Sequence, residues 1–274
     1  MPSPTPRAAF FDQDGAHFIP RREAANPWFD NAVAGGPLSG LFGQIAETRG
    51  LVPEGFALAR MTIDILGIVP SAPLHTRIEP VRQGRQVQLH RITLTANDKA
   101  VAQALVLAAR QLETPAFPAS DNYPAPEDVA QGDFLANGVL RHIVHTRPVQ
   151  GSVTEPGPGK VWLTLDADIV SAIPATPLSH ACVFADFGNG VGSATRAQEW
   201  SFANLDVGIQ FLRTPLGKWI MVDAETVAAG NGHALARSTM ADERGVFALA
   251  TQTIFVAPGD LTPRMARSRS AAIG

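Results

Sequence analysis

The chain has 274 residues, 45% hydrophobic and only 17% charged, which supplies material for one large core or two smaller ones and argues against disorder. Lys plus Arg total 22 against 25 Asp plus Glu, a formal charge of −3, so net charge gives no reason to expect a nucleic-acid or anionic-membrane partner. Cys182 is the sole cysteine, which excludes an intrachain disulfide and a cysteine-built zinc site and fits a reducing compartment.

In chain order, the start MPSPTPRAAFF carries no apolar run of signal-peptide length, and no later stretch approaches the roughly 18 apolar residues of a membrane span. The expected location is therefore the cytoplasm. Residues 1–9 and the end from about Thr262 read as loose termini. GGPLSGLFGQIAETRG, from Gly35, places Leu38, Leu41, Phe42 and Ile45 at helical spacing and closes on Gly50. Four strand-like runs follow: LARMTIDILGIV, PLHTRIEPVRQ, QVQLHRITLTA and AVAQALVLAARQL. ETPAFPASDNYPAPED, Glu113 to Asp128, then brings four prolines without apolar periodicity, as a linker laid over a surface would.

The second half repeats the order. LRHIVHTRPV (Leu140–Val149) and KVWLTLDAD read as strands, with TEPGPGK as the hairpin turn between them. SHACVFADFGNGVGSA reads as a helix beginning near Ser179, and four further strands follow, NLDVGIQFLR, KWIMVDAETVAA, GHALARSTMADE and GVFALATQTIFVA. A helix cradled by a curved antiparallel sheet, twice in tandem, is the double hotdog arrangement of the α+β class. The expected divisions are 10–112, a linker 113–137, and 138–259. Fusion gives each half a partner for its otherwise open sheet edge.

Three segments resemble the bacterial acyl-CoA thioesterase II family and its TesB-like relatives: CVFADFGNGV, FANLDVGIQFLRTPLGKWIMVD and DERGVFALATQTIFV. The resemblance covers about residues 10–258, weakly in the first half. It implies hydrolysis of acyl-CoA to acid and CoA, without a metal or organic cofactor, and further pairing into a dimer of double hotdogs. It also implies a water held by an Asp, a hydroxyl residue and a Gln, which fall on Asp186, Asn204 and Gln252. Asn204 departs from the hydroxyl pattern, though an amide both donates and accepts. The same superposition puts Leu41, Ala59 and Leu105 at these places in the first half, so one active site per chain is expected.

The chemistry suits these types: a partly buried carboxylate is tuned toward neutral pH as a base, and neighbouring amides orient the water. Other groups weigh less. Cys182 and His180 lie two apart on a helix and do not face each other, and His142 and His145 lie on opposite faces of a strand. Arg213 and Lys218 flank a turn and are weighed as contacts for a CoA phosphate, against the plainer reading of solvated cations. Two rival functions stay open: a hotdog that binds acyl-CoA without turnover, and an acyl-CoA hydratase or dehydratase. The second is disfavoured because the Asp-x-(4)-His spacing that opens the helix in such enzymes does not occur at Asp186 or in the first helix.

Overall fold

The computed structural model describes residues 7–117, 122–134, 139–152, 154–195 and 199–259. The first half comprises β1 (Ala9–Asp14), β2 (His17–Pro20), α1 (Gly35–Thr48), β3 (Phe56–Ile65), β4 (Leu74–Gln83), β5 (Val87–Ala96) and β6 (Lys99–Arg110). The second comprises β7 (Val144–Gln150), β8 (Gly159–Leu165), β9 (Asp168–Val170), α2 (Pro177–Ala185), α3 (Gly188–Val191), β10 (Trp200–Asn204), β11 (Asp206–Phe211), β12 (Ile220–Ala228), β13 (His233–Asp242) and β14 (Gly245–Pro258).

All strands join one sheet in the order β7-β8-β12-β13-β14-β11-β3-β6-β5-β4-β2-β1-β9, with β10 also paired to β14. The order reads alike outward from the central β11–β3 pair, where Val207 lies opposite Ile63. Each half is thus a duplicate of the other, and the double hotdog is present. A single core joins α1 and α2 to strands of both halves.

Alternation sets the inner face. In β6 Ala102, Ala104, Val106 and Ala108 are buried, and in β14 Ala248, Ala250, Gln252 and Ile254. Leu105 therefore lies on the outer parity, and the first-half counterpart of Gln252 must be Ala104 or Val106. Neither carries a hydrogen-bonding side chain.

The two helices cross closely because α1 turns glycines toward α2. A Cβ built on Gly40 would fall 2.5 Å from Val183 Cγ2, and one on Gly43 would fall 2.9 Å from Cys182 Sγ. Cys182 is fully buried there, and burial pushes its thiol far up, so it is a small core residue and not a nucleophile. His180 Nε2 instead meets the Ala167 carbonyl at 3.2 Å, and burial lowers its pKa.

Several local expectations are corrected. Val139–His142 forms a 3₁₀ turn, so the strand expected from Leu140 starts at Val144. Ala9, expected in a loose terminus, opens β1, whose Ala9, Phe10 and Phe11 are buried and which pairs in parallel with β9. Residues 1–6 and 260–274 lie outside the described residues, as do 118–121 and 135–138 of the expected linker. The described part of that linker is fastened to the second half: Trp162 Nε1 donates to Pro124 O, Arg147 to Pro126 O and Val129 O, and Gly132 N to Thr146 O. No helix among the described residues is long and apolar enough to cross a membrane.

Arg213 is spent within the fold. Its guanidinium grips Asp242 with two bonds of 2.6 Å and donates to Gly245 O, while Leu216 N and Arg244 N complete the carboxylate's shell. Burial raises the Asp242 pKa, but Arg213 and the two backbone donors outweigh it and hold the carboxyl below its ordinary value. That stability is present above the unfolded carboxylate value of about 4 and is lost as pH falls through the lower folded value. Arg213→Met should cost about 3–5 kcal/mol at pH 7, because it strands a buried charge, and clearly less near pH 3. Urea unfolding at the two pH values checks this.

Candidate active site

The site forms where the α2–α3 run breaks. Helix α2 opens with a capping box, Thr176 Oγ1 accepting from Ser179 N and Ser179 Oγ from Thr176 N, and stops at Asp186, its C-cap. The helix read as one segment from Ser179 is therefore two, starting at Pro177 and interrupted at Asp186 and Phe187. A helix end leaves carbonyls, and a helix start leaves N–H groups, without ladder partners. Gln252, reaching inward from β14, serves both: its Nε2 donates to Asp186 O at 2.7 Å and its Oε1 accepts from Asn189 N at 3.0 Å.

Asn204, at the end of β10, donates through Nδ2 to Asp186 Oδ1 at 2.7 Å and to Asp186 O at 3.2 Å. Both partners are acceptors, so the amide orientation is fixed by the network. The three expected residues thus converge on one point. Gln252 is 1% exposed. Asp186 as a residue keeps some accessible surface, but its carboxyl group is packed round by protein. This burial raises its pKa to about 7, against the opposing donation from Asn204, which favours the charged form.

The first half also reaches this point. A Cβ on Gly35 would lie 2.5 and 2.7 Å from the two Asp186 carboxylate oxygens, so the first turn of α1 sits directly against the carboxylate. The positive end of a helix favours a negative charge within its first turn. That contact is invisible in sequence, since Gly35 and Asp186 stand 151 positions apart (186 − 35).

Asn189 was not singled out from the sequence, although it lies in the quoted segment CVFADFGNGV. Besides meeting Gln252, its Oδ1 accepts from Thr226 Oγ1 at 3.2 Å, and its Nδ2 is buried without a partner. Its only sequence signal is a polar residue between two glycines. Lys218 lies away from this cluster. It lines a cavity of about 460 Å³ with Arg7, His145, Thr176 and His180, at the N-terminal end of α2. Nine residues of helix, roughly 14 Å, separate that end from Asp186.

Fold and site together describe a double hotdog protein with a buried carboxylate at its helix crossing. The chain belongs to the acyl-CoA thioesterase family, TesB-like in kind: the model of the acyl-CoA thioesterase N-terminal domain matches residues 24–109, and that of the acyl-CoA thioesterase C-terminal domain matches residues 116–256. Among solved structures, a tesB protein of Mycobacterium avium subspecies paratuberculosis superposes with a TM-score of 0.67 at 18% identity, over 90% of this chain and 96% of that one. The acyl-CoA thioesterase II TesB2 of Mycobacterium marinum gives 0.63 at 16% identity, over 83% and 91%. A hot dog fold protein of Alicyclobacillus acidocaldarius gives 0.70 at 18% identity, over 90% and 95%. At these identities the structures speak for the fold. No curated protein matches the sequence.

The contact between Gly35 and Asp186 leaves no room for a methyl group. Gly35→Ala should lower stability by about 1–3 kcal/mol through overpacking. Most of that cost should vanish when Asp186→Gly is made alongside it, a coupling that a double-mutant cycle of thermal melts reads directly.

Proposed function

We propose that this chain hydrolyses acyl-CoA thioesters to the free acid and CoA, at one site per chain, with Asp186 as general base. The observation that carries the reading is a buried carboxylate, with a pKa near neutral, held by two amides against the start of a helix. A base titrating near its working pH balances availability against proton affinity.

In this reading a water lies between Asp186 Oδ2, Asn204 Oδ1 and the second N–H of Gln252. Asp186 takes its proton as the water oxygen bonds to the thioester carbonyl carbon. The carbonyl oxygen becomes an oxyanion, and the first N–H groups of α1, at Gly35 and Gly36, are placed to stabilise it, since helix-start donors have no partner within the helix. Collapse re-forms the carbonyl, breaks the C–S bond and releases the CoA thiolate, which takes the proton back from Asp186. Asn204 fills the hydroxyl position of the family pattern by charging the carboxylate with one end of its amide and holding the water with the other. Gln252 works chiefly as a positioning residue, because it braces the helix break that presents Asp186.

A second reading is acyl-CoA binding without turnover. It is favoured by one observation: bonds to Asp186 and Asn189 already occupy both ends of Gln252 and the amino group of Asn204.

Release of CoA from acyl-CoAs, followed with a thiol-reactive dye, separates the two readings. Asp186→Asn should lower kcat by about 10²–10⁴-fold, the usual reach of general-base catalysis. For the unaltered chain kcat/KM should rise with pH through a half-point near 7, because only the deprotonated carboxylate accepts the proton. Asn204→Thr should keep turnover and Asn204→Leu should lose it. Acyl-CoA binding with no CoA release at any pH would establish the second reading.

A further inference from the structure

Resting on the hydrolase reading, we propose that Phe202 and Trp28 form the end wall of the acyl-binding channel and restrict the substrate to short acyl groups. The argument starts at β10, where residues of one parity share a face. Asn204 lies opposite Ile254 and Phe202 opposite Val256, so both side chains project on the same inner face as Gln252. Phe202 stands two residues, about 7 Å, beyond Asn204.

An acyl chain leaving the Asp186 water along the inner face of β14 has two directions. Toward the start of the strand, Ala250 and Ala248 are packed into the main core shared with α2. Toward its end lies a separate apolar cluster of Ala234, Ala236 and Ile254, with Phe202 and Val256 packed against it. Every member comes from β10, β13 or β14. Ala236 is directly opposite Gln252 and Ala234 opposite Ile254, so the cluster begins at the site itself. It bears no charge and no hydrogen-bonding side chain, which suits an alkyl chain and not the phosphates of CoA.

The cluster is closed at its far side. Trp28, from the first half, meets Phe202 edge-on with ring centroids 5.7 Å apart at 66°. The hollow left between Trp28, Trp200, Ser201 and Phe202 is about 10 Å³, at the lower limit for a single water. Trp28 is itself held by the Asn26 side chain, which accepts from Trp28 N at 2.8 Å and Phe29 N at 3.1 Å. A longer chain would have to displace this pair.

The test compares kcat/KM from acetyl-CoA through palmitoyl-CoA for the unaltered chain, Phe202→Ala, Trp28→Ala and Phe202→Trp, with circular dichroism and melting to establish folding. The unaltered chain should prefer short chains. The ratio of long-chain to short-chain kcat/KM should rise about tenfold or more in the two alanine variants, the scale of one or more methylenes in a hydrophobic pocket, and fall in Phe202→Trp. The same ratio in all folded variants, or a long-chain preference already present in the unaltered chain, would overturn the wall. If the unaltered chain hydrolyses nothing, the hydrolase reading fails separately. The Kd for the same series, measured by calorimetry, then decides the wall on its own: loss of the length dependence in both alanine variants supports it, and unchanged dependence overturns it.

Discussion

The crossing of α1 and α2 at glycine distance is the contact on which the rest depends. Two helices with ordinary side chains between them pack 8–10 Å apart, whereas bare α-carbons at Gly40 and Gly43 let Val183 and Cys182 nest against the backbone. The sheet must then wrap one compact helix pair, so its two halves share a core and meet edge to edge at β3 and β11. The same crossing carries the first turn of α1 to the end of α2, and so makes a site from two halves of which only one supplies polar side chains.

Burial and bracing explain how such a site holds. A carboxylate at the end of a helix would ordinarily meet the negative pole of the helix dipole, an unfavourable place for an anion. Here α2 is stopped at the carboxylate, and the positive pole of the other helix is brought to it. Gln252 makes the interruption tolerable by taking the place of the missing ladder at both Asp186 O and Asn189 N. A buried amide with both ends satisfied is a rigid connector. Tuning of Asp186 and local architecture are thus one arrangement: water is excluded by the crossing, which raises the pKa, while Asn204 moderates it.

Strand identity was largely legible from pattern. The runs after each helix alternate cleanly or carry long β-branched stretches, and β3 to β6 and β11 to β14 lie where that alternation places them. What escaped was short or made by tertiary partners. β1 and β2 have six and four residues and are held by each other and by β9 and β4, so little in their local sequence marks them as strands. The break at Asp186 escaped because FADFGNG has no proline; a distant glutamine stabilises it. Asp186, Asn204 and Gln252, which the fold brings together, were singled out as candidates through a family pattern carried by local segments. Gly35 was not, since a glycine is conspicuous only once the group filling its missing side chain is seen. Leu105 shows the limit of laying one repeat on another by eye: a shift of one residue in a strand exchanges its two faces.

The pairing of β1 with β9 has a consequence for how the polypeptide is made. Ala9 leaves the ribosome early, but its partner Asp168 is 159 residues later (168 − 9), on the far side of the linker. At synthesis rates of 5–20 residues per second, the outer edge of β1, with its two buried phenylalanines, waits on the order of ten to thirty seconds for a neighbour. Throughout that interval the nascent first half presents an open, apolar strand edge, the feature that invites association with other chains. The pairing therefore leaves the outer edge of β1 without its native neighbour until the second half has been made.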